Sequence, residues 1–289
     1  EILSGLVGSE MCIRDRAYLD AFRPKPAPSI GDDAPQGDQT LKRAFEALEA
    51  QDYAHSLSLF QEALQQGLST KELEAAALNM HGTYMFVMGE AKRALEDLDR
   101  SIELCPENVQ TWVKKASVHV ELGDKDAAMA DFDRAVALNA DDADIYYHRG
   151  QVHFILGEFE AAMSDYSKST SLDDTFIFSQ VQHAVASYKL GNIARSTAEF
   201  CRILKKFSDS SESYNYFGEL MLDQQRHEDA VANFDKSIAL EQAKPKGKNV
   251  LPMINKALVL FQWKQDLTGA EQLCRDALRI DPDCDVAIA

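Results

Sequence analysis

Basic residues are scarce in this chain of 289 residues. Lys and Arg number 30 against 47 Asp and Glu, which leaves a formal net charge of −17 at pH 7. Binding to a nucleic-acid backbone needs clustered Lys and Arg side chains, so we expect no nucleic-acid partner. The acidic run of Asp141, Asp142 and Asp144 is typical of a solvated loop. A second interpretation is that such charge steers basic ligands, including basic targeting peptides.

Motifs for catalysis and metal binding are also missing. The sequence has no glycine-rich phosphate loop, no G-x-S-x-G, no H-E-x-x-H and no C-x-x-C pair. We therefore predict no catalytic, cofactor or metal site, and a protein that is not an enzyme. The five cysteines show no zinc spacing and fit a reducing compartment. Cys201 and Cys274 are predicted to be buried in helices.

No apolar run approaches the length of a membrane-spanning helix, so we expect no membrane insertion by this sequence. It lacks an initiator Met and stops in mid-pattern, which favours a fragment truncated at its C-terminus. Residues 1–16 contain MCIRDR, which a common sequencing-library adapter encodes. An assembly artefact is favoured there over a divergent N-terminus. Residues 17–36 are predicted to be a Pro-rich linker, and residues 37–289 a repeat array.

A repeat of 34 residues dominates the rest of the chain. One column is small: Ala94, Ala128, Ala162, Ser196, Ala230. A second column is also small: Gly82, Ala116, Gly150, Ala184, Gly218. The third is large and apolar: Leu98, Phe132, Tyr166, Phe200, Phe234. A strict period of this length marks stacked supersecondary units. It predicts an all-α superhelical solenoid of about seven helix hairpins, and favours a binding scaffold over an enzyme.

The predicted units are 37–70, 75–108, 109–142, 143–176, 177–210, 211–244 and 251–284. In the unit 143–176, two helical patterns meet at a turn that contains Gly157. Gly157 suits the left-handed end of the first helix. Gly150 and Ala162 must be small because the two helices cross near them, and a larger side chain would overpack the crossing. In the last unit, the first-helix columns are displaced by one residue around Ala257.

The small residues at the eighth and twentieth places and the large one at the twenty-fourth resemble the tetratricopeptide repeat. In that family, side chains at the second, fifth, ninth, twelfth and thirteenth places of each unit face a groove lined by the first helices. With that geometry, the groove is predicted to bind an extended or helical apolar segment of a polypeptide through these residues: Val113, Tyr147, Gln151, Phe154, Val181, Val185, Tyr188, Asn215, Leu222. An alternative is that Phe154, Tyr188 and Leu222 complete the packing between first helices. Glu219 is one of the polar groups expected to flank the groove.

The stretches 146–178, 205–241 and 250–260 carry a narrower resemblance. They are similar to the seventy-kilodalton receptor subunit of the mitochondrial outer-membrane translocase, and 17–26 is similar to the region before the C-terminal repeats of its fungal members. The resemblance implies the C-terminal repeat domain, which captures apolar segments of unfolded carrier-type preproteins. It also implies contacts with other translocase subunits and a location at the cytosolic face of the mitochondrial outer membrane.

Members of the tetratricopeptide family that bind heat-shock chaperones use Lys at the fifth place and Asn at the ninth. The fifth place here holds other residues: Asn79, Val113, Tyr147, Val181, Asn215. We expect chaperones to bind only through an N-terminal clamp that this sequence does not contain. One alternative function is a cytosolic co-chaperone or assembly scaffold that binds a protein partner. Another is the repeat region of an enzyme such as a glycosyltransferase.

Overall fold

The structure, a computed structural model, describes residues 27–50, 52–245, 249–282, 284 and 287. Within these ranges every regular element is helical, and consecutive helices form hairpins. The chain divides into two compact units, and the division falls between Thr175 and Phe176. The proposed artefact at residues 1–16 and the linker residues 17–26 lie outside the described residues. The all-α array of helix hairpins predicted from the 34-residue period is confirmed.

The first unit holds four hairpins. They are α1 (Gln36–Glu49) with α2 (Tyr53–Gln66), α3 (Lys71–Val87) with α4 (Ala91–Leu104), α5 (Val109–Glu121) with α6 (Lys125–Leu138), and α7 (Ala143–Ile155) with α8 (Phe159–Leu172). The second unit holds three more. They are α9 (Ile177–Lys189) with α10 (Ile193–Lys206), α11 (Ser211–Asp223) with α12 (His227–Ala243), and α13 (Leu251–Val259) with α14 (Leu267–Ile280).

The small columns let the two helices of a hairpin approach closely. A Cβ added to Gly150 would lie 2.7 Å from Tyr166 Cε1, and one added to Gly218 would lie 2.6 Å from Phe234 Cε1. Ala162 is 0% exposed, as are the small residues of the same column in four other repeats: Ala94, Ala128, Ser196, Ala230. The prediction that these positions must be small is therefore confirmed by the packing of the large column against them.

Where the small column carries a serine, its hydroxyl finds a partner across the hairpin. Ser196 Oγ donates to the Ala184 carbonyl at 2.7 Å, and Ser56 Oγ donates to the Ala44 carbonyl at 2.9 Å. Both serines are 0% exposed. A buried hydroxyl without a partner would cost about 1–3 kcal/mol, so this bond makes serine an acceptable substitute for alanine at the crossing.

A recurring contact between a basic and an acidic side chain also joins the two helices within a hairpin. Arg149 Nε and Nη2 donate to the two carboxylate oxygens of Asp165, at 2.8 and 2.7 Å. The same separation of 16 residues recurs in three further pairs: His81 with Asp97, Lys115 with Asp131, His183 with Glu199.

The last hairpin contains the one-residue displacement expected around Ala257. A π-helical segment (Leu260–Lys264) follows α13 and ends at Gln265, whose φ is 53°. In the hairpin of α7 and α8, the small residue Gly150 stands seven positions before the left-handed Gly157. In the last hairpin, the small residue Ala257 stands eight positions before the left-handed Gln265. A π turn accommodates the extra residue without breaking the helix.

Gln225 gives the first testable prediction. It occupies the turn position that Gly157 fills two repeats earlier, and its φ of 60° lies in the left-handed region. An L side chain pays a conformational penalty there that glycine does not, so we expect Gln225→Gly to raise the free energy of unfolding by about 1 kcal/mol. Urea unfolding followed by circular dichroism measures the change. Gln224→Gly is the matched control, and should lower stability because φ at Gln224 is −81°.

The cysteine prediction requires a correction. Cys201 lies in α10 but is exposed, whereas Cys274 in α14 is half-buried and packs against a small apolar cluster. The cause is helical periodicity: Phe200 points into the core, and the next residue is rotated by about 100° around the helix axis. The expectation of burial was therefore wrong for Cys201.

Candidate functional site: the first-helix faces of the two units

In the first unit, hydrogen bonds join the first helices of neighbouring hairpins. Asn79 of α3 donates through Nδ2 to Thr111 Oγ1 of α5 at 2.8 Å. Lys114 of α5 donates through Nζ to Asn79 Oδ1 at 2.6 Å. Lys114 is only 5% exposed, so its amino group lies inside the face rather than in solvent. This part of the face is polar.

Helix α7 continues the same face with a chain of side-chain hydrogen bonds. His148 Nδ1 donates to Gln151 Oε1 at 3.1 Å, and Gln151 Nε2 donates to the Tyr147 hydroxyl at 2.9 Å. The spacings of three and four residues place these groups one turn apart on one side of the helix. Burial lowers the pKa of His148 from 6.5 to about 3, although the bond to Gln151 acts in the opposite direction. His148 is therefore a neutral, buried histidine at physiological pH.

Four of the predicted groove residues belong to this unit. Val113 is 0% exposed and lies in the apolar core, and Tyr147 is 3% exposed. Gln151 and Phe154 are half-buried. The Phe154 ring packs edge-on against Phe159 of the same hairpin, with centroids 5.2 Å apart. Gln151 and Phe154 are thus the two predicted side chains that a ligand can reach in the first unit.

The other five predicted groove residues belong to the second unit. Val181, Asn215 and Leu222 are 2%, 5% and 7% exposed. Val185 and Tyr188 of α9 are half-buried and pack against the same apolar core as Val181 and Leu222. In this unit, the prediction that the groove binds a ligand depends on Val185 and Tyr188.

Tyr188 connects α9 to α11. Its hydroxyl donates a hydrogen bond to Asp223 Oδ2. Burial raises the pKa of Tyr188 to about 12, and the Asp223 carboxylate adds to the shift because it stabilises the protonated phenol. The phenol is therefore fixed as a donor, with its ring on the accessible side of the apolar core.

A carboxyl and two amides connect α11 to α13. Glu219 Oε1 accepts from Asn215 Nδ2 at 2.7 Å and from Asn255 Nδ2 at 2.7 Å. Asn255 Nδ2 also donates to Asn215 Oδ1 at 3.0 Å. Burial raises the pKa of Glu219 to about 7, even though the two amide donors favour the charged form. We call Asn215, Glu219, Asp223, Asn255 and Tyr188 the Glu219 site.

Sequence reasoning identified part of this arrangement and missed the rest. Asn215 and Glu219 were named, but Lys114, His148 and Asn255 were not recognised as groups of these faces. Each of the three stands two residues before the small residue of its first helix: Ala116, Gly150, Ala257. A polar residue two positions before the small residue was therefore the signal in the sequence that could have identified these groups. Asn255 was hidden further by the displaced register of the last repeat.

The described residues contain neither a membrane-spanning helix nor a cluster of metal-binding side chains. None of the described helices is both long enough and apolar enough to cross a membrane. Within the same ranges, no group of three or more His, Cys, Asp or Glu side chains is arranged to hold a metal ion.

The chain has recognisable relatives among known sequences. A family model for the tetratricopeptide repeat matches residues 113–173. The mitochondrial import receptor subunit TOM70 of Mus musculus is 28% identical over 224 residues, which cover 74% of this chain and 36% of the mouse protein. The TOM70 subunit of Homo sapiens is 27% identical over the same shares of the two chains. The match thus spans about a third of the length of these relatives.

Comparison with solved structures supports the tetratricopeptide-repeat fold. The crystal structure of yeast Tom70 aligns with a TM-score of 0.83 and 25% sequence identity, covering 93% of this chain and 58% of the yeast chain. A tetratricopeptide repeat protein from Parabacteroides merdae aligns with a TM-score of 0.63 at 16% identity, which supports the fold alone. This chain is a tetratricopeptide-repeat protein homologous to the TOM70 subunits of the mitochondrial import receptor.

Proposed function

We propose that the chain is the C-terminal, preprotein-binding repeat region of a mitochondrial import receptor. In this function the first-helix faces capture apolar segments of carrier-type precursors and release them without chemistry. The observation that carries the proposal is the 224-residue match to mammalian TOM70 import receptor subunits.

The chemistry of both faces supports capture of an extended polypeptide. Phe154 in the first unit, and Val185 and Tyr188 in the second, are half-buried apolar groups fixed by the core beneath them. Amide and hydroxyl groups stand beside them, including Gln151 and Asn215. Apolar anchors rimmed by polar groups are typical of peptide-binding surfaces, since the anchors supply affinity and the rim satisfies the peptide backbone.

The proposal extends to partners and location. The full-length protein would sit at the cytosolic face of the mitochondrial outer membrane, beside other translocase subunits. Its clients would be unfolded mitochondrial preproteins, and chaperones would dock through a clamp outside this sequence. A receptor of this kind needs reversible binding, because each client must be passed on to a channel.

Peptide binding by the purified chain tests the proposal. Fluorescently labelled peptides that cover a mitochondrial carrier precursor are titrated with the chain, and anisotropy gives Kd. We expect Phe154→Glu to weaken binding at least about tenfold, because a carboxylate replaces an apolar anchor. The matched control is Ile155→Glu, since Ile155 is the next residue and is 62% exposed. It should bind as the parent does.

A second variant pair addresses the second unit. Tyr188→Glu should weaken the same peptides, whereas Ile193→Glu, at a site that is 47% exposed, should not. Helical circular dichroism must be retained in every variant. If both groove variants hold the peptides as tightly as the parent, the faces are not the binding surface. Preference for a folded partner over every extended peptide would support the co-chaperone or scaffold alternative instead.

A further inference from the structure

The two oxygens of Glu219 have different surroundings. Oε1 accepts both amide hydrogen bonds of the Glu219 site, from Asn215 and Asn255. Oε2 accepts no hydrogen bond from any described residue. It is also not fully buried. Oε2 is therefore accessible from the face, while Oε1 holds the carboxyl in one orientation.

The neighbouring acceptors are also left open. Asn255 uses its Nδ2 group for Asn215 and Glu219, and its Oδ1 accepts no hydrogen bond from the described residues. Asp223 lies one helical turn after Glu219 on α11, and its Oδ2 accepts from Tyr188. Among the described residues, no Lys, Arg or His side chain forms a salt bridge with Glu219 or Asp223. The site thus presents several acceptors and no cation.

The cost of ionising Glu219 favours the binding of a cation at this site. Burial raises the pKa of Glu219 to about 7, so the charged form is disfavoured in the free protein. An uncompensated carboxyl in a half-buried position costs free energy that a cation recovers when it binds. The two amides hold the carboxyl in place beforehand, so a ligand does not have to order it.

We propose that the Glu219 site binds the guanidinium or ammonium group of a basic side chain in a polypeptide held by the second unit. The inference rests on the proposed function, because it names the ligand chemistry of the same surface. The bound cation would contact Glu219 Oε2, with the free Asn255 and Asp223 oxygens as further acceptors. The apolar anchors Val185 and Tyr188 would hold the residues beside it. The net charge of −17 favours the approach of such a ligand.

A matched pair of peptides tests this inference. One is a short carrier-derived peptide that contains a single Arg, and the other carries Gln at that position. The parent chain should prefer the Arg peptide by about tenfold, and Glu219→Gln should remove the preference while leaving the Gln peptide unchanged. Glu228→Gln is the control, because it makes the same substitution at an exposed site on α12.

The pH dependence gives a second readout. Near pH 6 roughly a tenth of Glu219 would be ionised, and near pH 8 roughly nine-tenths. Affinity for the Arg peptide should therefore rise over this range in the parent chain and stay flat in Glu219→Gln. If both peptides bind the parent equally, the inference fails and the proposed function stands. If neither peptide binds at all, both fail.

Discussion

Replacing Phe234 by Ala lowers the free energy of unfolding by about 3–5 kcal/mol. Phe234 is 0% exposed and belongs to the apolar core of the second unit. Its ring lies against Gly218, where the two helices of the hairpin cross. Deleting the ring removes buried apolar surface and leaves a cavity that the rigid crossing cannot close. Urea unfolding followed by circular dichroism and by fluorescence of Trp263, which lies in the same unit, measures the loss.

A double-mutant cycle with Gly218 identifies the cause of that loss. Gly218→Ala alone should destabilise by about 1–3 kcal/mol, because the new methyl group meets the Phe234 ring at 2.6 Å. In the Phe234→Ala background the same change should cost much less, since the methyl group enters the space left by the ring. Additive effects would show that the two residues do not share one packing site. Ile193→Ala is the surface control and should change stability by no more than about 0.5 kcal/mol.

The hairpin architecture could be predicted because its physics is local to each repeat. Gly150, Ala162 and Tyr166 form one crossing, and their sizes recur every 34 residues because the crossing recurs. The same logic located the displaced register at Ala257, which the π-helical segment accommodates. A period read from sequence therefore predicts the contacts that a hairpin makes with itself.

Accessibility of the first-helix faces could not be predicted in the same way. Val113 and Val181 stand at the fifth place of their repeats, and both are buried in the apolar cores. How far a fifth-place side chain is covered depends on the size of its neighbours in the adjacent hairpin, which the period does not specify. The division of the chain after Thr175 was not predicted from the sequence, because the 34-residue period continues through it.

The pKa values of the polar groups on these faces could not be predicted from the sequence either. Glu219 could be recognised as a polar groove residue from its place in the repeat. Its raised pKa could not, because the shift arises from burial beside Asn215 and Asn255 on two different helices. His148 is a similar case, since a single histidine in a helix gives no indication of its burial. Electrostatic properties of this kind depend on three-dimensional surroundings that sequence spacing does not fix.

His148 makes the first unit sensitive to acid. Its pKa is about 3 in the folded chain and about 6.5 when unfolded, because burial disfavours the charged imidazolium. A base with a depressed folded-state pKa binds its proton preferentially in the unfolded state. Stability is therefore fully present above about pH 6.5 and falls as the pH decreases towards 3. Between pH 7 and pH 5 we expect this one group to remove about 2 kcal/mol.

The variant His148→Asn tests this assignment, because asparagine retains a donor for Gln151 but does not titrate. Its absolute stability should fall, since the smaller side chain leaves a gap, so the decisive quantity is the slope of stability against pH. Urea titrations from pH 7 to pH 5, followed by Trp112 fluorescence in the first unit, should give a shallower slope than in the parent. His55→Asn removes an exposed histidine from the same unit and should leave the slope unchanged. Equal slopes in His148→Asn and the parent would contradict the assignment. The acid sensitivity of the first unit would then arise from other groups, and His148 would not be a neutral, buried histidine.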